Sequence, residues 1–551
     1  MSGALGFGFG AVAARRRGAA GPPGQPWTPP QPIGPDWPEG AVALWLIFGQ
    51  SNAEGYAPWR QDPARTDPAA AQPALSPAER QAHPWLRLTT RGAGPNAGQF
   101  PASGQGLATD AAPRTSSKVW QASLGIPAGT PSFGPEVGLV RHVLSGAAPA
   151  AWRDDAQPRL WLFKQTEGGQ SVDHFRWGGA GQGLILNALR QTGAENLTTL
   201  AAGREVLVQG VIFVIGEKDS VDLRADGGGS MAATLAVRFA DWVRQIRGAL
   251  GVEAPVAFVE IHDAVDARKQ AANAALHALA AALPAAVAVP RAPDWTEIGD
   301  GVHYDAQGQD RLGAAAFAAI RTGWGRPGDG LVTGRRFTGL RPWFHVPPVF
   351  VFDGGTRMQV AAVAAVSGML HARITAEGAP APAAETIRDQ SEAPGGFRRA
   401  LIQDQEEVWF TALDLFTANV TEDVHFVLEG ADGVLGERVT VRRGGNVKFA
   451  PKLTVGAVGS ETAELTLRPS FAGTLRWALH AGERGWMRTE DVEAMAFQPV
   501  QAGETPCTAN ATVTLSLTGL TPGTGYTLFA AGRRTADGLA SVGQREVFAT
   551  A

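Results

Sequence analysis

Between residues 41 and 321 two hydrophobic patterns alternate. Five short apolar runs, AVALWLIF (41–48), RLWLF (159–163), EVLVQGVIFVI (205–215), PVAFVEI (255–261) and AAVAV (285–289), have strand length and little polar alternation. That is the pattern of parallel strands covered on both faces. Helical spacing lies between several of them. Leu235, Phe239, Trp242, Val243, Ile246 and Leu250 fall on one face, residues 269–283 form an Ala/Leu-rich helix that stops before Pro284, and residues 308–321 close the series. Strands alternating with helices predict an α/β domain, a parallel sheet with helices on both faces, over residues 41–325. Residues 60–130 interrupt it. They are rich in Pro, Ala and Gly with little periodicity, and are expected to form a long insertion beside the functional face.

After about residue 325 the helical spacing gives way to short alternating runs between Gly/Pro turns, which predicts β-sandwich modules over 326–447 and 448–551. Two of the runs repeat. Gly368 of SGMLHARI and Gly473 of AGTLRWAL are 105 apart, as are Asp432 and Asp537 of two Ala-Asp-Gly turns, so a module of about 100 residues is duplicated. Residues 1–40 differ from both regions. A glycine-rich apolar start, MSGALGFGFGAVAARRR, precedes a Pro-rich linker. The arginines follow the apolar stretch, the wrong order for a secretory signal, so residues 1–36 are expected to dock into a partner.

Composition narrows the classes. A net charge of −4 over 551 residues lacks the basic excess of a nucleic-acid binder. No run of about 18 apolar residues predicts a membrane span. The 69 glycines and 38 prolines belong to turns and linkers, since no Gly-X-Y period exists. The single cysteine, Cys507, excludes an intramolecular disulfide and a Cys-rich zinc site; as a buried thiol it is expected to be inert packing. No metal motif such as H-E-x-x-H is present, and no cofactor is expected.

The first apolar run ends in Gly49-Gln50-Ser51-Asn52. A serine just past a parallel strand sits at the carboxyl edge of the sheet, where open α/β folds bind ligands. Ser51-Asn52-Ala53-Glu54 also fits a capping box, in which Ser51 only caps a helix. Before the closing helix stands Asp300-Gly301-Val302-His303. Asp300 can orient the His303 imidazole, whose other nitrogen then takes a proton from a serine. The alternative is a surface loop with an incidental histidine.

Strand one with G-x-S, followed much later by D-x-x-H, resembles the SGNH hydrolase superfamily, and within it the sialate O-acetylesterase-like and acetyl xylan esterase branch. The matching residues are Gly49-Gln50-Ser51-Asn52, Phe133-Gly134-Pro135-Glu136, Lys164 with Gly168-Gly169, Gly216-Glu217-Lys218-Asp219, and Asp300-Gly301-Val302-His303. The resemblance implies a flavodoxin-like three-layer domain and a serine esterase acting on acetylated carbohydrate. Ser51 would be the nucleophile, His303 the general base, Asp300 its orienter, and the N–H groups of Ser51 and Gly134 the oxyanion hole. Where the branch carries Q-G-E-x-D, this chain has Ile215 before Gly216, so a side-chain amide donor is missing; either Gln50 or another group substitutes, or activity is reduced. Gln50, Asn52, Lys164, Gly169, Glu217, Asp219 and His262 are the further candidates for bracing the site or touching substrate; His174 is either a substrate contact or an ordinary loop histidine, and Trp177 and Trp59 are either sugar-stacking surfaces or core and loop packing.

The run Leu520-Thr521-Pro522-Gly523 before Tyr526 resembles the late-strand region of fibronectin type III domains. Such modules occur in extracellular polysaccharide-degrading enzymes and in phage tail and spike proteins, and the Gly-Phe-Gly-Phe-Gly start is similar to docking peptides of phage-type structural proteins. Together these imply a component of a virion or phage-like particle surface, or else an extracellular or cell-surface protein. Its expected partners are acetylated polysaccharide, other particle proteins through residues 1–36, and further copies of itself. The other reading is a glycan-binding spike whose esterase-like fold turns over little.

Overall fold

The computed structural model describes residues 40–54, 57–58, 86–91, 132–136, 138–139, 143, 150–153, 159–181, 203–262, 266–293, 295, 297, 302–324, 335–337, 342–352, 358–410, 420–436, 438–443, 453–541 and 543–551. The expected docking peptide, the linker and most of the insertion lie outside them, as do Trp59 and Asp300. An α/β unit extends to Leu340, and a β unit runs from Arg341 to Ala551.

Each of the five apolar runs forms a strand: β1 (Val42–Gly49), β5 (Leu160–Thr166), β6 (Val206–Val214), β7 (Val256–Val259) and β8 (Ala286–Val289). They pair in parallel in the order β5-β1-β6-β7-β8. In chain order this is 2-1-3-4-5, a doubly wound arrangement whose direction reverses between the first and third strands. The ends of β1 and β6 therefore flank the crevice where such sheets bind ligands.

All eight residues of β1 are buried because each face meets a helix. Trp45 packs on Phe317 of α6 (Ala306–Trp324), with ring centroids 5.1 Å apart, and Phe48 on Trp242 of α4 (Leu235–Leu250) at 6.1 Å. Successive strand residues point to opposite faces, so a strand covered on both sides keeps no polar alternation. Burying each large apolar side chain contributes about 1.5–3 kcal/mol.

Two sequence expectations need correction. The 60–130 insertion is not wholly irregular: β3 (Leu86–Arg91) joins the sheet parallel to β5 as a sixth parallel strand. Just outside it, β2 (Ala57–Pro58) pairs with β4 (Ser132–Phe133). The α/β unit also runs past residue 325, because β9 (Arg335–Arg336) pairs antiparallel with Leu207 and Val208 of β6. Phe337 N–H then donates to Val206 O at 2.7 Å.

The β unit repeats one topology. In the first module β10 (Phe344–Phe352), β11 (Met358–Ala364) and β14 (Glu406–Phe410) form one sheet. Its second sheet is ordered β13-β12-β15-β16, from β12 (Gly368–Ala376), β13 (Gly396–Leu401), β15 (Glu422–Gly430) and β16 (Val439–Arg443). Phe350, Val360, Leu370 and Phe426 from the two sheets share a core. In the second module the three-stranded sheet is β17 (Thr454–Val458), β18 (Thr462–Leu467) and β21 (Val513–Thr518). The four-stranded one is ordered β20-β19-β22-β23, from β19 (Gly473–Ala481), β20 (Gln501–Cys507), β22 (Gly525–Arg534) and β23 (Gln544–Ala549). The 105-residue offset recurs at the starts of β12 and β19, of β13 and β20, and of the short helices Ala384–Asp389 and Thr489–Glu493. Tyr526 is buried, and its hydroxyl accepts the Thr521 N–H at 2.8 Å, the tie of a tyrosine corner. Cys507 lies in the second core, where burial pushes its thiol pKa up. Glu406 of the first module accepts from Arg545 Nη1 (2.8 Å) and from the Trp486 N–H of the second.

One buried group makes the first module pH-sensitive. His425 on β15 is held by Thr375 and Thr440, each 2.9 Å from a ring nitrogen, and burial lowers its pKa to about 4. The unfolded chain then binds a proton near pH 6.5 that the folded one does not bind until about pH 4, so stability falls as pH drops through that window. The module's thermal midpoint is expected to fall between pH 6.5 and 4. A His425→Asn variant is expected to flatten that part of the profile; an unchanged slope would contradict the assignment.

Candidate functional site

Gly49 ends β1 at φ +150°, and a Cβ there would stand 2.0 Å from Val214 O of β6. Only glycine lets the chain turn this close to the neighbouring strand. The turn starts the four-residue helix α1 (Ser51–Glu54) on Ser51, which is buried. A capping box would need Ser51 one position earlier, outside the helix, so the capping reading fits the backbone less well. On the third strand, Gly216 at φ +142° turns β6 into α3 (Glu217–Val221).

These turns bring Glu217 between the neighbours of Ser51. Its Oε2 accepts from Gln50 Nε2 at 2.6 Å and its Oε1 from Asn52 Nδ2 at 2.7 Å. Asn52 then spans to the other end of the domain. Its Nδ2 also donates to Val302 O (2.9 Å), and its Oδ1 accepts the Tyr304 N–H (3.1 Å). The residues on both sides of His303 are thus tied to the residue after Ser51. Tyr304 is fully buried, meets Trp295 edge-on, and its hydroxyl donates to Glu260 O at 3.4 Å. Asp305 caps α6 through the Gly308 N–H at 2.9 Å. His303 is held between these anchors and is itself buried.

Burial raises the Glu217 pKa, opposed by the Asn52 hydrogen bond and by the nearby His303. Both partners are donors, so the site needs two acceptor oxygens. Glu217→Gln would replace one oxygen by an NH₂ facing an amide donor. A buried unpaired donor costs about 1–3 kcal/mol. Glu217→Gln is therefore expected to lower the thermal midpoint of the α/β unit by several degrees, read by calorimetry; an unchanged midpoint would show that the clamp holds nothing in place.

The other candidates fall into three groups. Lys164 on β5 pairs with Glu136 at 2.9 Å, both buried, and Glu136 Oε1 accepts the Gly134 N–H at 3.1 Å. Gly134 was expected to donate to an oxyanion; here a carboxylate two residues along takes that donor. Gln50, one candidate substitute for the missing amide, likewise gives one N–H to Glu217, and its buried Oε1 has no hydrogen-bond partner among the described residues. Gly169 makes the turn after β5 at φ +72°. His262 follows β7 and lies 3.4 Å from Glu297, whose backbone bridges to Tyr304.

Asp219 leads into a cluster that sequence reasoning missed. Arg238 Nη1 of α4 donates to Asp219 (2.7 Å) and to Asp173 (3.1 Å). Asp173 accepts from Arg176 (2.9 Å), which also donates to Asp241 (3.0 Å). Asp219 and Arg238 are fully buried, and the other three are nearly so. Alternating signs compensate each desolvated charge. Burial raises the Asp219 pKa, opposed by Arg238. The available signal was the spacing of Arg238, Asp241 and Gln245, which share the inward side of α4.

No family model matches the sequence, and no curated protein matches it. Among solved structures the chain is similar to a carbohydrate acetylesterase from Xanthomonas citri, at 16% identity and a TM-score of 0.31, over 72% of this chain and 80% of that one. It is also similar to a two-domain fibronectin type III segment of chicken tenascin, at 10% identity and a TM-score of 0.15, over 38% of this chain and 99% of that one.

Proposed function

We propose that the chain is a serine ester hydrolase that removes acetyl groups from a carbohydrate. In this reading Ser51 Oγ attacks the acetyl carbonyl while His303 takes its proton, Asp300 orients His303, and the sugar hydroxyl leaves with the proton returned by His303. Water then repeats the sequence on the acetyl-enzyme. The Ser51 N–H, in the first turn of α1, is the oxyanion donor, joined by Gly134 once Glu136 releases it. The observation that carries the reading is the pair of hydrogen bonds by which Asn52 donates to Val302 O and accepts from the Tyr304 N–H, which ties the residue after Ser51 to both neighbours of His303.

A second reading has its own support. With the Gly134 N–H on Glu136 and a Gln50 N–H on Glu217, the oxyanion site is underfurnished, as in a glycan-binding spike that turns over little. Acetate release from acetylated oligosaccharides separates the two: release in proportion to enzyme supports the hydrolase, and saturable binding without release supports the binder.

The setting we propose is a particle surface, with residues 1–36 as the docking segment, supported by the Gly-Phe-Gly-Phe-Gly start and the Pro-rich linker. Deleting residues 1–36 is expected to abolish incorporation into particles and spare ester hydrolysis in solution; incorporation of the truncated chain would sink the docking role.

A further inference from the structure

We propose that the two β modules form one rigid spacer, with Glu406 of the first module locked in a socket of the second made by Gly485, Trp486 and Arg545. This goes beyond the esterase reading and does not depend on it.

Modules in tandem move against each other unless something holds their contact. Here the contact is directional. Glu406 opens β14, and its two oxygens are taken by two different elements of the second module. Oε1 accepts from Arg545 Nη1 of β23 at 2.8 Å, and Oε2 accepts the Trp486 N–H in the segment after β19. A carboxylate held at one oxygen can pivot about that bond. Held at both, by a strand and by a turn, it fixes the angle between the modules as well as their separation.

The socket is itself braced. The guanidinium of Arg545 lies over the Trp486 ring, 5.6 Å from its centre, and its Nη2 donates to Glu483 Oε1 at 3.3 Å. Arg545 is therefore held toward the place that Glu406 fills. An isolated exposed ion pair holds little, but this one is part of a network that includes a backbone donor and a stacked ring. Gly485 admits the carboxylate. A Cβ there would stand 2.5 Å from Glu406 Oε2, so any other residue would displace the carboxylate from the Trp486 N–H.

The repeat shows what these residues are for. At the positions 105 earlier, the first module has Pro380 and Ala381 in place of Gly485 and Trp486, Gly378 in place of Glu483, and Thr440 in place of Arg545. Thr440 serves its own module through His425. The same sandwich thus forms without the socket residues. The carboxylate is equally one-sided. β21 stands in the second module where β14 stands in the first, and residues 508–513 leading into it read Thr-Ala-Asn-Ala-Thr-Val. Each half of the lock occurs only in the module where it meets the other half. That distribution fits a junction and does not fit a feature that every module needs for its own stability. A loosely tethered pair would sample many orientations, whereas the locked pair carries a single orientation across the β unit.

The test uses the full chain in a Cys507→Ala background, with spin labels on Ala431→Cys in the first module and Ala511→Cys in the second, both exposed positions. Double electron–electron resonance reads the distance between them. A single narrow distribution is expected, and adding Glu406→Ala or Arg545→Met is expected to widen it about twofold. A thermal melt of each variant checks that its modules are folded; if one variant unfolds, the other decides. A broad distribution before either change, or an unchanged width in the folded variants, would overturn the lock.

Discussion

Ser51→Ala is expected to lower the rate of acetate-ester hydrolysis by about 10⁴-fold or more while leaving the fold intact. The size follows from the proposed mechanism, in which Ser51 is the nucleophile: removing it removes the whole covalent route, and what remains is stabilisation from binding and oxyanion donors. The fold is spared because Ser51 only begins α1, and the clamp runs through its neighbours Gln50 and Asn52. Hydrolysis of an activated acetate ester, read beside a thermal melt, checks it. Equal rates in both proteins would remove Ser51 from the mechanism, even with the Asn52 tie in place.

Arg238→Met is expected to produce the largest loss of stability among single substitutions in the α/β unit. Arg238 is fully buried and gives one nitrogen to both Asp219 and Asp173. A second nitrogen donates to Met231 O at 2.8 Å. Burial alone would lower its pKa, but the two carboxylates outweigh that and raise it. Without Arg238, Asp219 faces Asp173 with no cation between them, although Asp173 keeps Arg176. Breaking a buried pair from one side costs about 3–5 kcal/mol, which for a domain of this size lowers the midpoint by about 10 °C. Calorimetry of the full chain would show this as a shift of the α/β transition alone. A shift under 2 °C would mean that water reaches the carboxylates and the cluster holds nothing in place.

The sheet was legible because its strands announce themselves. A strand such as β1, with Trp45 under α6 and Phe48 under α4, has to be apolar at every position. The helix over Leu235–Leu250 was legible for the complementary reason, one wet face giving a 3.6-residue period. β3 was not legible. Leu86 and Leu88 alternate with polar residues in a six-residue stretch set in Pro-rich text, and the strand's partner β5 is more than 70 residues away. The 325 boundary failed similarly, since two arginines carry no strand pattern and pair only because β6 offers Leu207 and Val208.

At the site the division is sharper. Ser51 and His303 were candidates because a serine after a first strand and a histidine before a last helix both fall near one sheet edge in this topology, and their roles came only from the resemblance. The work of Asn52 and Glu217 could not be named. An amide and a carboxylate are common in turns, and their roles depend on partners about 165 and 250 residues away. The same holds for Glu136, which takes the donor expected from Gly134. By itself the sequence determined which segments are strands and helices, the repeat of the β modules, and the residue types that could perform acyl transfer, because these follow from local periodicity and composition. Only the tertiary structure decided which donors are engaged and which charges are buried together. Those depend on distances between residues far apart in the chain, which no local pattern encodes.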